Sequence, residues 1–170
     1  MNGTGAGKAS AGDGRPGRPG DFDFLVGSWD SKQRRLRKPL AGCEEWYEFT
    51  ATTRSWSLFD GAANVDELSV PDQGFSGLTV RLLDRSTGDW SLYWVNSRTG
   101  VLGLPPVTGR FADSIGRFYS EEDYEGQPII CRYTWSEITA NSARWDQAFS
   151  VDGGQTWETN WIAEFARRDG

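Results

Sequence analysis

The stretch 129–135, IICRYTW, indicates the fold class, because every second side chain along it is apolar or aromatic. One face carries Ile129, Cys131, Tyr133 and Trp135, and the other face carries the three remaining side chains. A period of two residues is typical of a β-strand with one buried face. The stretch therefore predicts a strand whose aromatic face points into the interior.

Three further stretches show the same alternation and predict three more inward faces. These faces are Trp90, Leu92 and Trp94; Trp145, Gln147 and Phe149; and Trp157, Thr159, Trp161, Ala163 and Phe165. Hydrophobic residues make up only 37% of the chain, but aromatic residues reach 14%, and aromatic side chains bury a large area each. That much aromatic surface suits a curved, enclosed interior better than a flat two-layer core.

Short alternating stretches separated by turn residues continue along the chain and predict an all-β domain. We expect strands at about 28–36, 43–52, 62–70, 77–84, 89–96, 107–112, 116–123, 128–136, 143–150 and 156–167. This spacing, without a long helical pattern, is typical of an up-and-down barrel or a sandwich. The aromatic faces favour an antiparallel up-and-down barrel of about 8–10 strands, built from residues 21–170.

The first 20 residues, MNGTGAGKASAGDGRPGRPG, have a different composition. They are rich in Gly and Pro and contain no large apolar residue after Met1. Such a segment buries too little surface to offset its ordering entropy, so we expect residues 1–20 to form a disordered leader.

The charge and the missing residue types exclude several functions. The chain has no His, which removes the commonest zinc, iron and haem ligand and the usual general base, so we expect neither a metal nor a cofactor. A net charge of −6 disfavours nucleic acid and anionic membrane surfaces as partners. No apolar run is long enough to span a membrane or act as a secretory signal. With Cys43 and Cys131 as reduced thiols, the predicted location is the cytoplasm.

Gly27-Ser28-Trp29, at the start of the first strand, resembles the Gly-x-Trp of lipocalin-like (calycin) barrels. Arg167 or Arg168, at the end of the last strand, resembles the Arg that stacks on that Trp in these barrels, a cation–π contact. The stretches 21–29, 64–67, 109–111, 142–145 and 147–150 together resemble a bacterial lipocalin-like domain family of unknown function.

The family resemblance implies a barrel with a pocket but no particular reaction. Members of the family often carry a His in the first strand before a pair of Arg residues, whereas this chain has Gln33 before Arg34 and Arg35. A related barrel family binds haem through a His ligand, and that role has no counterpart here.

Two acidic residues are candidates for acid–base chemistry without histidine. Asn64 and Asp66 share one face of a predicted strand, and a carboxylate in a dry interior can move protons. Glu45 would enter the cavity if the face that also carries Tyr47 and Phe49 turns inward, with Arg35 as its partner. The alternatives are an ordinary polar pair at the barrel rim for Asp66 and a solvated edge for Glu45.

Two functional hypotheses follow from an enclosed aromatic interior. The first is a protein that binds a small apolar or aromatic organic molecule, and the second is a cofactor-independent cyclase, isomerase or dehydratase of secondary metabolism. The predicted catalytic residues are Asp66, Glu45 and Tyr93. The predicted ligand-binding residues are Arg35, Asn64, Trp94, Tyr119, Tyr133, Trp135, Trp145, Gln147 and Trp161. A third hypothesis is an interaction protein whose interior is simply packed. For each of the three tyrosines, the alternative to a ligand contact is a core side chain whose hydroxyl reaches the rim.

Overall fold

The computed structural model describes residues 14–169, and ten antiparallel strands within them form one closed barrel. The strands are β1 (Gly27–Leu36), β2 (Trp46–Leu58), β3 (Ala63–Val70), β4 (Phe75–Asp84), β5 (Asp89–Asn96), β6 (Val107–Ala112), β7 (Ile115–Tyr124), β8 (Gln127–Ser136), β9 (Ser142–Ser150) and β10 (Glu158–Arg167). Single 3-10 turns lie at Asp23–Leu25, Phe59–Gly61 and Pro71–Gln73. Sequential strands pair throughout, and β1 also pairs with β10. The predicted all-β, up-and-down barrel is confirmed.

The closing pair of strands is held by Trp29 and Arg167, which face each other in the β1–β10 register. The guanidinium carbon of Arg167 lies 4.1 Å from the Trp29 ring centroid, and Trp29 is fully buried. Arg167 also donates hydrogen bonds of 2.7–2.8 Å to the backbone carbonyls of Phe24, Val26 and Ala140. Of the two arginines left open by the sequence, Arg167 is therefore the one that stacks.

Gly27 is required by this closing contact for a steric reason. Its φ of +115° lies in a region that side chains rarely adopt, and a Cβ there would stand 2.8 Å from Nη1 of Arg167. The glycine of the Gly-x-Trp sequence thus makes room for the arginine that covers the tryptophan.

Two groups of apolar side chains fill the barrel. The larger group closes the end at which β1 begins, with Phe22, Leu25, Trp90 and Phe118 almost completely buried, and it continues along β6–β9. The smaller group lies near the opposite end on β2–β4 and β10 and includes Trp161. The barrel is therefore plugged at one end by the turn that precedes β1.

The side chains predicted to point inward along the last strand do not all lie on one face, because β10 contains an irregularity. The β9–β10 register shifts between Thr159 and Trp161, and such a bulge moves the preceding side chains to the other face. The prediction that Trp157 and Thr159 point inward is therefore wrong. Trp157 packs instead beneath Arg132, whose guanidinium carbon lies 4.2 Å from the centroid of the Trp157 ring.

Residues 14–20 differ from the expected disorder because they are tied to the barrel. Gly17 donates a backbone hydrogen bond of 2.7 Å to Gly88, and Arg15 forms a 2.6 Å ion pair with Asp21. The prolines of this segment restrict the unfolded chain, which lowers the entropy cost of ordering it. The rest of the predicted leader, residues 1–13, lies outside the described residues.

Replacing Arg167 by Met should lower the free energy of unfolding by about 2–4 kcal/mol, because a cation–π contact and several charge-assisted hydrogen bonds are lost. Urea unfolding followed by far-UV circular dichroism measures the change. The matched control is Arg168→Met, which removes only an exposed 3.2 Å ion pair with Asp30 and should cost less than about 1 kcal/mol. Equal effects of the two substitutions would contradict the role of Arg167 in closure.

Candidate functional site

A cavity of about 200 Å³ lies inside the barrel, with wall residues from both apolar groups. Most of the side chains predicted to form a site line it: Arg35, Asp66, Trp94, Tyr133, Trp135, Trp145, Gln147 and Trp161. Alternation along β1, β3, β5, β8, β9 and β10 brings them together. The remaining wall includes Gln33, Thr53, Thr79 and Arg81, which the sequence analysis did not propose.

Three of the four tryptophans that line the cavity pack against one another. The Trp161 ring stands perpendicular to those of Trp94 and Trp145, with centroid distances of 6.4 and 5.4 Å. The Trp94 ring covers the backbone of Gly77, where a Cβ would lie 1.8 Å from a ring carbon. Any larger residue at position 77 would therefore push this ring into the lumen.

Arg81 and Asp66 form a buried ion pair in the cavity wall. Nη1 of Arg81 lies 2.6 Å from Oδ2 of Asp66 and also donates a 2.8 Å hydrogen bond to Oδ1 of Asn64. The side chain of Ser55 hydrogen-bonds to Asn64 in turn. Asn64 does not line the cavity but holds the guanidinium of Arg81 in place. Arg81, the charged partner of Asp66, was not among the predicted site residues.

A second set of polar side chains connects β10 with β1. Nε1 of Trp161 donates a 2.7 Å hydrogen bond to Gln33, whose Nε2 donates to Ser31. Gln33 is only 2% exposed and lines the cavity. Its amide orients the Trp161 indole.

Gln147 shares the cavity wall with these groups and reaches the bulged segment of β10. Its Nε2 donates a 2.8 Å hydrogen bond to Oδ1 of Asn160, which is 1% exposed. The bulge turns Asn160 toward Gln147, and an alternation read directly from the sequence places Asn160 on the outer face.

Arg35 lies at the end of β1 opposite the plug, with its guanidinium carbon 4.5 Å from the Trp161 ring centroid. The proposed Arg35–Glu45 pair inside the cavity is wrong. Glu45 precedes β2, its side chain is 69% exposed, and it pairs with Arg37 at 2.7 Å. The solvated alternative holds because the strand begins only at Trp46, so inward and outward alternation does not reach Glu45.

Two predicted tyrosines lie on the outer face of the barrel, so their expected places in the pocket are wrong. Tyr93 is in register with Val80 on the outer face of β4 and β5, one residue from the inward Trp94. Tyr119 packs against Trp157, with 6.1 Å between the ring centroids. The Tyr133 side chain does face the cavity, and burial raises the pKa of its hydroxyl well above the usual value.

Glu122 is a half-buried carboxyl on β7 that was not among the predicted site residues. It sits on β7 opposite Ile129, whose side chain is buried. Burial raises the pKa of the Glu122 carboxyl, while the nearby Ser120 hydroxyl and Cys131 thiol oppose the shift. The alternation of Phe118, Ser120 and Glu122 along β7 is the signal that could have found it.

Several buried donors of the wall have no hydrogen-bond partner among residues 14–169. They include Nε of Arg81 and Nε1 of Trp135, on side chains that are 4% and 3% exposed. An unsatisfied buried donor costs about 1–3 kcal/mol. The wall of the cavity is therefore mostly apolar, and it contains a few hydrogen-bond donors without a partner.

Neither a metal site nor a spanning helix is found in the described part of the chain. Residues 14–169 contain no group of three or more His, Cys, Asp or Glu side chains that could hold a metal ion. No helix in the same range is long and apolar enough to cross a membrane.

Comparison with solved structures places the fold among known barrels. The S-type phycobiliprotein lyase CPES from Guillardia theta superposes with a TM-score of 0.54 at 12% identity, over 88% of this chain and 91% of the lyase. Rv2717c from M. tuberculosis superposes with a TM-score of 0.55 at 12% identity, over 86% of this chain and 94% of that one. The chain thus shares the fold of these proteins, a closed ten-stranded antiparallel barrel of lipocalin-like form. A scan against protein-family models and a search of curated protein sequences both gave no match.

Arg81→Met should lower the free energy of unfolding by about 3–5 kcal/mol, because it leaves Asp66 as an uncompensated buried charge. The double variant Asp66→Leu/Arg81→Met should recover most of that loss, since no lone charge remains. Urea titrations of both proteins measure this. Arg37→Met, which removes the exposed pair with Glu45, is the control and should cost less than about 1 kcal/mol. A double variant as unstable as Arg81→Met would contradict the pairing.

Glu122→Gln should raise the free energy of unfolding at pH 7. Because the pKa of Glu122 is raised in the folded state, its ionised form destabilises the fold above that pKa, and the penalty declines as pH falls toward the ordinary value of 4.5. The advantage of the variant should therefore be smaller at pH 4.5 than at pH 7 in urea unfolding. Glu121→Gln, on the exposed side of β7, should show no such difference, and a pH-independent gain at Glu122 would contradict the assignment.

Proposed function

We propose that this barrel binds a small aromatic organic molecule in its interior. The observation that carries the proposal is the cavity of about 200 Å³ walled by Trp94, Trp145 and Trp161. An apolar cavity of about 150 Å³ in another protein is large enough to bind benzene. The space inside this barrel therefore exceeds what a single aromatic ring needs.

The chemistry of the wall supports an aromatic ligand over an aliphatic one. Aromatic rings attract one another in offset-stacked or edge-to-face arrangements, beyond the gain from burying their area. Trp161 already meets its two neighbouring indoles edge to face. A flat ligand ring would extend this arrangement, and polar groups such as Gln147 would fix its orientation.

Acid–base catalysis is the alternative, and the positions of its candidate residues weaken it. Of the residues predicted to be catalytic, only Asp66 faces the cavity, and its carboxylate is engaged by Arg81 at 2.6 Å. Glu45 and Tyr93 point away from the lumen. A cyclase, isomerase or dehydratase would have Asp66 and Tyr133 as the acidic groups of the cavity wall, so we favour binding without turnover.

The fold neighbours are compatible with this proposal and do not determine it. The Guillardia theta neighbour is a phycobiliprotein lyase, so a barrel of this shape has a function beyond a structural one in that protein. At 12% identity the likeness transfers the fold, and the binding function proposed for this chain depends on its own cavity.

Thr79→Phe, which fills part of the cavity from β4, should weaken the binding of 2-isopropenylnaphthalene by about tenfold or more, because the added ring occupies ligand space. Quenching of tryptophan fluorescence measures the affinity. The matched control is Ser91→Phe, which adds the same ring on the outer face of β5 and should bind like the unmodified protein. Circular dichroism verifies that both variants are folded. The absence of binding to the unmodified protein, or equal affinities in all three, would refute the proposal.

A further inference from the structure

Two of the unpartnered donors of the cavity wall lie on neighbouring side chains near the plugged end. The guanidinium carbon of Arg81 is 5.8 Å from the Trp135 ring centroid and 5.2 Å from the ring of Phe22, which belongs to the plug. Both Arg81 and Trp135 line the cavity. The Nε group of Arg81 and the Nε1 group of Trp135 have no hydrogen-bond partner among residues 14–169.

The groups around these donors hold them in place without using them. Asp66 and Asn64 both bind Nη1 of Arg81, at 2.6 and 2.8 Å, which fixes the guanidinium plane and leaves Nε free. Trp135 packs against Phe165 and Phe24, with ring centroids 5.4 and 5.5 Å away. Two rigid donors next to one cavity form a preorganised site for a hydrogen-bond acceptor.

The charge balance at the deep end indicates that the acceptor is neutral. The positive charge of Arg81 is already compensated by Asp66. A ligand carboxylate placed there would add a second negative charge to a desolvated pair, which is costly. A carbonyl oxygen satisfies the donors without bringing a charge.

Building on the proposed binding function, we infer that the ligand is an aromatic molecule with a neutral oxygen acceptor, such as an aryl ketone or aldehyde, whose oxygen binds Nε of Arg81 and Nε1 of Trp135. The ring system then extends from this point between Trp94, Trp145 and Trp161. The Tyr133 hydroxyl, whose pKa burial raises, stays protonated on the same wall and adds no negative charge.

Three probes of nearly equal shape separate the possible acceptors. 2-Acetylnaphthalene carries a ketone, 2-isopropenylnaphthalene replaces the oxygen by CH₂, and 2-naphthoate carries a charge. The inferred site should bind the ketone about tenfold more tightly than the alkene. It should bind the carboxylate more weakly than the ketone. Fluorescence quenching and isothermal titration calorimetry on the full chain measure the three affinities.

Trp135→Phe removes the Nε1 donor and keeps an aromatic ring at the same place. It should reduce the affinity for the ketone to nearly that for the alkene, while the affinity for the alkene stays unchanged. The matched control is Trp145→Phe, which should shift the affinities for both probes together. The double variant Asp66→Leu/Arg81→Met removes the other donor without leaving a lone charge and should also abolish the preference for the ketone.

The outcomes distinguish this inference from the binding function beneath it. If no probe binds the unmodified protein, the proposed function itself fails. If ketone and alkene bind equally, or if Trp145→Phe rather than Trp135→Phe removes the preference, binding stands and the assigned acceptor site is wrong. Tightest binding of 2-naphthoate would also overturn the inference and would indicate an anion held at Arg35 instead.

Discussion

The contact between Trp29 and Arg167 is the constraint on which the rest of the barrel depends. An antiparallel sheet has an enclosed interior only if its first and last strands pair, and these two residues face each other across that seam. Arg167 covers the Trp29 ring and binds carbonyls of the turn before β1 and of the β8–β9 connection. One side chain thus joins the seam, the plug and a loop at the closed end.

The sequence predicted the fold well because the fold is determined by a local pattern. Period-two alternation and turn residues located each strand, and Gly27 with Trp29 located the seam. The prediction was wrong where the pattern was interrupted. The bulge before Trp161 reversed the facing of Trp157, and a bulge changes backbone geometry without a distinctive residue type.

The site was predicted less completely, and Arg81 shows the reason. In β4 the residues Leu78, Val80 and Leu82 resemble a core face, yet they lie outside and Arg81 lies inside. The β4–β5 hairpin register pairs Arg81 with Leu92, next to the inward Trp94, so cross-strand pairing carries information that single-strand hydrophobicity lacks. Glu45 was misplaced for a related reason, since it precedes the first paired residue of its strand.

The interior that the closed seam encloses is poorly explained by stability alone. Apolar side chains could fill it, whereas a buried ion pair is weak evidence for stability and unpartnered donors oppose folding. Arg81 and Trp135 keep such donors beside a cavity rather than beside solvent. A ligand that supplies an acceptor restores the lost hydrogen bonds and, by binding only the folded chain, stabilises it. The polar groups of this barrel are therefore better explained by the proposed ligand than by the packing around the cavity.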